Sequence, residues 1–236
     1  PVSFILIERL FHARRGDWAL PVALSALLLA IYFAVPGAAT EWRYDRAAIL
    51  DGEAWRLVTG HLLHADAHHL GWNVFGVLLV WFLFARDYTP RQWLAILLVS
   101  TAVTSAGFLL LEPELDWYVG FSGVLHGCMA AGLVAWLRST RDPLTWLVAG
   151  LFAAKLAWEH FHGALPFTAG TLSLPVVHEA HTYGAIGGLL ALDVFLPEHV
   201  LQLGGGDFAA ELVHLVIGQR AELALEFLWQ LNAELA

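Results

Sequence analysis

The 236-residue sequence predicts an all-α membrane protein, a bundle of six transmembrane helices, and three observations carry that expectation. The chain is 58% hydrophobic and only 14% charged, with a mean hydropathy of +0.64, well away from the composition of a water-soluble domain. Six apolar stretches, at about 18–36, 62–84, 92–111, 121–137, 144–162 and 179–196, are each long enough to cross roughly 30 Å of hydrocarbon as a helix. Arginine is distributed unevenly between alternate connections. Arg9, Arg14 and Arg15 precede the first stretch, Arg86 and Arg91 separate the second from the third, and Arg138 and Arg141 separate the fourth from the fifth. The opposite connections carry Glu41, Asp45, Asp51, Glu53, Glu112, Glu114 and Asp116, against Arg43, Arg46 and Arg56. The positive-inside rule then puts the N-terminus in the cytoplasm and starts the even-numbered spans at the outer face. Helices are the form lipid demands, because hydrocarbon cannot satisfy exposed backbone groups and the alternation of a barrel strand is missing.

The first stretch lacks a small-residue cleavage site and reads as a retained span, while Pro1 suggests a natural start upstream of the sequence. Gly37 to Gly60 mixes Trp42, Tyr44 and Trp55 with charged residues, which suits a structured segment lying at the headgroup level. The second span opens with His64, His68, His69 and Asn73; His69 and Asn73 are four apart and share a helix face. Gly120-Phe121-Ser122-Gly123 opens the fourth span, which also holds the single cysteine, Cys128, a small packing residue that excludes an intrachain disulfide. Span five carries Lys155 and Glu159 as an i,i+4 pair, read as a buried ion pair or a contact of a helix gate. Gly163 to Val177 leads to span six, which begins with Ala180-His181 and continues with Gly184 and Gly188 on the histidine's face. Residues 1–200 form the expected membrane domain. The glycine run Gly204 to Gly206 then leads into a tail, 201–236, expected to be helical from an N-cap at Asp207, amphipathic and not membrane-spanning, because its glutamates and Arg220 are costly to insert.

Polar groups within apolar spans are expensive and mark functional sites by default. A serine hydroxyl needs an adjacent base, and histidine titrates in the useful range. Glycines on both sides of Ser122 leave its hydroxyl and N–H open, and Gly184 and Gly188 let span six press against span four. An imidazole and an amide such as His69 and Asn73 can donate to a developing oxyanion. Each motif also has a packing explanation: small-residue helix contact for the glycines, interhelical polar bonding for His64, His69, Asn73 and His181.

Taken together, and in this order, Trp55-Arg56, His64, His69 and Asn73, Gly-Phe-Ser-Gly at Gly120–Gly123, and Ala-His-x-x-Gly-x-x-x-Gly from Ala180 to Gly188 resemble the rhomboid intramembrane serine proteases over about residues 18–196. The resemblance implies a rhomboid-like six-helix bundle with a Ser122–His181 dyad and no third acidic member. It implies an oxyanion hole from the Ser122 N–H with His69 and Asn73, a stabilising loop containing Trp55 and Arg56, and a substrate gate at span five. It also implies transmembrane protein substrates, a lipid environment such as the bacterial inner membrane, and an active site opening to the outer side. Two positions depart from the family pattern. His126 stands one turn below Ser122 where many rhomboids have tyrosine, and Ala85-Arg86-Asp87 replaces the usual acid at the inner end of span two. The histidine and the compact body are similar to the rhombosortase branch, whose members are thought to cleave C-terminal Gly-Gly-type sorting anchors of exported proteins.

Two other classes compete. An inert rhomboid relative that binds and escorts membrane proteins would usually lack the serine or the histidine, and both are here. A metal protein would use His160, His162, His178 and Glu179, but His178-Glu179-Ala180-His181 is one residue short of His-Glu-x-x-His and cannot set two histidines at i and i+4. No metal, no cofactor and, with a net charge of −9, no nucleic-acid partner are expected.

Overall fold

The computed structural model describes residues 18–35, 37–139, 142–166, 176–195, 202–203 and 206–207. Six long helices lie over the six apolar stretches: α1 (Ala19–Ala34), α5 (Ala67–Phe84), α6 (Pro90–Leu111), α7 (Ser122–Ser139), α8 (Pro143–His162) and α9 (Glu179–Phe195). Between α1 and α5 come the short helices α2 (Ala38–Glu41), α3 (Arg46–Leu50) and α4 (Arg56–Thr59). By length and apolar character α5 and α6 could each cross a membrane, and α1 is apolar but shorter.

The helix starts follow local chemistry. Asp66 caps α5 by accepting from the His69 N–H at 2.7 Å, so the helix begins at Ala67 and not at residue 62, where the apolar run begins. His64 therefore precedes the helix that was expected to carry it. Thr89 and Gln92 form a reciprocal capping box ahead of Pro90, and Asp142 accepts from the Leu144 N–H at the start of α8.

The core is α7, with α9 and α6 packed closely against it. Glycine decides that contact. A Cβ at Gly184 would overlap the Gly123 carbonyl, and one at Gly188 would overlap the Gly127 carbonyl, so the two backbones touch. Farther along the bundle, Phe84 packs edge-on to Trp136 at 4.6 Å and Trp81 lies 4.8 Å from Trp93. The outward faces are apolar: Phe33, Leu98, Leu151 and Phe161 are 71%, 58%, 62% and 76% exposed, a surface made for a nonaqueous neighbour.

The segment between α1 and α5 is structured, as its composition suggested. β1 (Tyr44–Asp45) pairs antiparallel with β2 (Trp117–Tyr118), Tyr44 opposite Tyr118. Next to this pair the Arg46 N–H donates to the Asp116 carbonyl at 2.8 Å and the Gly120 N–H to the Gly60 carbonyl at 3.1 Å. These bonds tie the first loop to the strand that delivers Ser122. Beyond α9, β3 (Gln202–Leu203) pairs with β4 (Gly206–Asp207). Asp207 is thus extended, a state an N-cap also takes, while the helix expected beyond it lies outside the described residues.

Candidate active site

Ser122 is the first residue of α7, immediately after a turn that only glycine fits. Gly120 sits at φ 139°, and a Cβ there would come within 2.9 Å of the His69 ring. The Tyr118 hydroxyl donates to the Gly120 carbonyl at 2.7 Å, and burial pushes that phenol up to about 12, so it remains a donor.

The close packing of α9 on α7 brings His181, 59 residues away in sequence, to Ser122: Nε2 lies 3.1 Å from Oγ. His126 stacks on the His181 ring, centroids 4.0 Å apart and planes within 18°. Its Nδ1 is 2.7 Å from the Ser122 carbonyl, and because a carbonyl only accepts, Nδ1 carries the proton. Gly123, Gly184 and Gly188 support this arrangement by allowing the backbone approach described above.

A cleft of about 590 Å³ opens over the pair. His69, Asn73, Ser122, His126, Lys155, Glu159 and His181 supply its polar wall, while Trp72, Leu79, Val80, Leu125, Met129 and Phe152 make the rest apolar. Asn73 is buried and gives one amide hydrogen to the His69 carbonyl at 3.0 Å, which leaves a second to offer.

Other expected residues stand elsewhere. His64 is buried outside the cleft, edge-on to His69 at 5.0 Å, and lines a separate cavity of about 180 Å³. Trp55 and Arg56 are also away from the cleft. The Arg56 guanidinium covers the Trp55 ring at 4.6 Å and donates to Glu53 and to the Arg43 carbonyl, a structural role within the first loop. His160, His162, His178 and Glu179 do not gather: His162 stacks on Trp158 and His178 pairs with Glu179. Among the described residues, the cluster close enough to hold a metal ion is His126, Glu159 and His181, within 4.8 Å of one another. Lys155 already places its ammonium there, 2.5 Å from Glu159 Oε2.

The site contains one contact the sequence reading missed. Glu159 was paired only with Lys155, and the family resemblance implied no acidic partner for the histidine. In the structure Glu159 Oε2 lies 2.8 Å from His181 Nδ1, with the carboxylate only 1% exposed. The available signal was depth: a carboxylate near the C-terminal end of an apolar helix lies at the level of the histidine that opens the next one.

Comparison with known proteins identifies the family. A family model described as the Rhomboid domain matches residues 51–198. The protein named "Putative rhomboid protease YdcA" of Bacillus subtilis (strain 168) is 26% identical over 180 residues, covering 72% of this chain and 83% of that protein. The matched region runs from the first loop through all of α9, and so includes Ser122, His181 and the residues that line their cleft: the chain belongs to the rhomboid family.

Proposed function

We propose that this protein is an intramembrane serine endopeptidase that cleaves transmembrane segments of anchored proteins near the outer face of a bacterial inner membrane. The observation that carries the reading is the 3.1 Å approach of His181 Nε2 to Ser122 Oγ at the floor of a mainly apolar cleft. α1 and α5 to α9 are the six spans of this reading, supported by the apolar outward side chains, and the N-terminus is cytoplasmic. Residues 1–200 make up the protease domain and 201–236 a surface-lying tail.

In this mechanism a substrate segment unwinds into the cleft, since a helical peptide bond is shielded and its carbonyl already bonded. Ser122 Oγ attacks the scissile carbonyl carbon as His181 Nε2 takes its proton, then returns it to the leaving amine as the C–N bond breaks. Water repeats the sequence on the acyl enzyme. The Ser122 N–H, His69 and Asn73 stabilise the oxyanion, an effect worth several kcal/mol in a site with little water. His126 in place of tyrosine supports the rhombosortase branch and, with it, Gly-Gly-type C-terminal anchors as substrates.

The test is cleavage of a transmembrane substrate by the detergent-solubilised protein and by Ser122→Ala. Activity is expected to vanish in the variant; persistence would overturn the serine mechanism, and inactivity of the parent on every anchored substrate would favour an escort role. Accumulation of one full-length membrane protein in cells expressing Ser122→Ala would identify the natural substrate.

A further inference from the structure

We infer that Glu159 is the third member of the site, a positioning residue that makes a Ser122–His181–Glu159 triad, with Lys155 as its counter-charge. This rests on the protease reading of Ser122 and His181. The ring's two nitrogens face opposite partners: Nδ1 lies 2.8 Å from Glu159 Oε2, and Nε2 lies 3.1 Å from Ser122 Oγ. An ionised carboxylate only accepts, so Nδ1 holds the ring proton and the Nε2 lone pair faces the serine, the tautomer a general base requires.

Burial makes Lys155 part of the device. A buried carboxylate needs a counter-charge and hydrogen-bond donors to offset the hydration it has lost. Lys155, one turn earlier on α8, sets its ammonium 2.5 Å from the same Oε2 and leaves its stem partly exposed to the cleft. The ammonium is also 3.2 Å from Nδ1. Were Nδ1 to accept from it, the ring proton would move to Nε2 and point at Ser122, the unproductive tautomer. The shorter contacts, both to Glu159, favour the productive one.

During acylation the Ser122 proton passes to Nε2 and on to the leaving amine, while Glu159 neither gives nor takes a proton. It stabilises the imidazolium across Nδ1, and Lys155 opposes that charge. The other titratable groups around the ring are His126 from α7, His69 from α5 and His178 from the chain just before α9.

The experiment is the pH profile of kcat and KM for a transmembrane substrate with the full chain in detergent, comparing the parent with Glu159→Gln, Glu159→Asp, Lys155→Met and Lys155→Arg. Glu159→Gln should lower kcat by about 10²- to 10⁴-fold with little change in KM, the span between loss of base catalysis and loss of the tautomer. Its acid limb should move to lower pH, because the negative charge favouring the imidazolium is gone. Lys155→Met should move the acid limb to higher pH, because the imidazolium is spared a neighbouring cation 3.2 Å from Nδ1. Glu159→Asp and Lys155→Arg should lie between the parent and these variants. An unshifted profile and parental kcat in Glu159→Gln, or shifts of the same sign in both charge-removing variants, would overturn the inference. If Glu159→Gln does not fold, Glu159→Asp decides: parental kcat with an unshifted profile would overturn the inference. An active Ser122→Ala would instead sink the serine mechanism on which the inference rests, whereas an inactive Ser122→Ala beside a parental Glu159→Gln would remove only Glu159.

Discussion

The imidazole of His126 lies flat on that of His181, 4.0 Å between centroids, and is itself held by a bond from its Nδ1 to the Ser122 carbonyl. One side chain thus braces the ring of His181 and the backbone of Ser122, from the position one turn below the serine. Phe152 continues the stack on the side of α8, 5.8 Å from His126.

His126→Tyr should keep the stack while losing the bond to the Ser122 carbonyl, and should retain activity within about 10-fold. His126→Ala should lower kcat further, since a stacked ring pair contributes about 0.5–1.5 kcal/mol and its loss leaves a void against His181. Steady-state cleavage of one transmembrane substrate by the two variants checks the order; a more active alanine variant would contradict it.

Gly184→Val should destabilise the bundle by about 1–3 kcal/mol or more, because its Cβ would meet the Gly123 backbone, which has no rotamer to change. Gly150→Ala on α8 is the control. A Cβ there meets nothing within 4 Å, so its melting temperature in detergent should equal or exceed the parent's.

Asn73→Ala and His69→Ala should each lower kcat by about 10²- to 10³-fold with KM nearly constant, the signature of donors used mainly in the transition state. Equal losses in kcat and substrate affinity would mean that they only shape the cleft.

Substrates should be graded by helix strength. A span interrupted by Gly-Gly should be cut readily and an uninterrupted poly-leucine span should resist, because the Ser122–His181 pair in the cleft can attack only a carbonyl freed from its helix. Equal rates on the two, measured in the same vesicles, would count against that mechanism.

Acid should loosen the first loop where Asp45 caps α3. Partial burial raises the Asp45 carboxyl, but the Ala48 N–H and the Arg43 guanidinium outweigh it and hold the group below its ordinary value. A depressed folded-state value means that the contribution to stability is present above the unfolded carboxyl's value and is lost as pH falls through the folded one. Asp45→Asn should therefore be less stable than the parent near neutrality and converge with it below about pH 4, near the ordinary aspartate value. Melting temperatures across pH test this.

Sequence alone determined the helix plan, because apolar run length is a local property, and the resemblance of its ordered motifs pointed to the family. It even foretold the meeting of α7 with α9, since Gly184 and Gly188 lie on the face of His181 and a missing Cβ is visible in the sequence. The apolar run through Leu62 and Leu63 hid the true start of α5, which the Asp66 cap sets at Ala67. What only the tertiary structure decided were the partners across helices. Glu159 and His181 are 22 residues apart, and Glu159 had a satisfactory local partner in Lys155. Nothing in a helical repeat says that a buried carboxylate oxygen will serve both an ammonium one turn away and an imidazole on the next helix. That choice belongs to packing, which takes water away from Glu159 and leaves those two groups as its solvent.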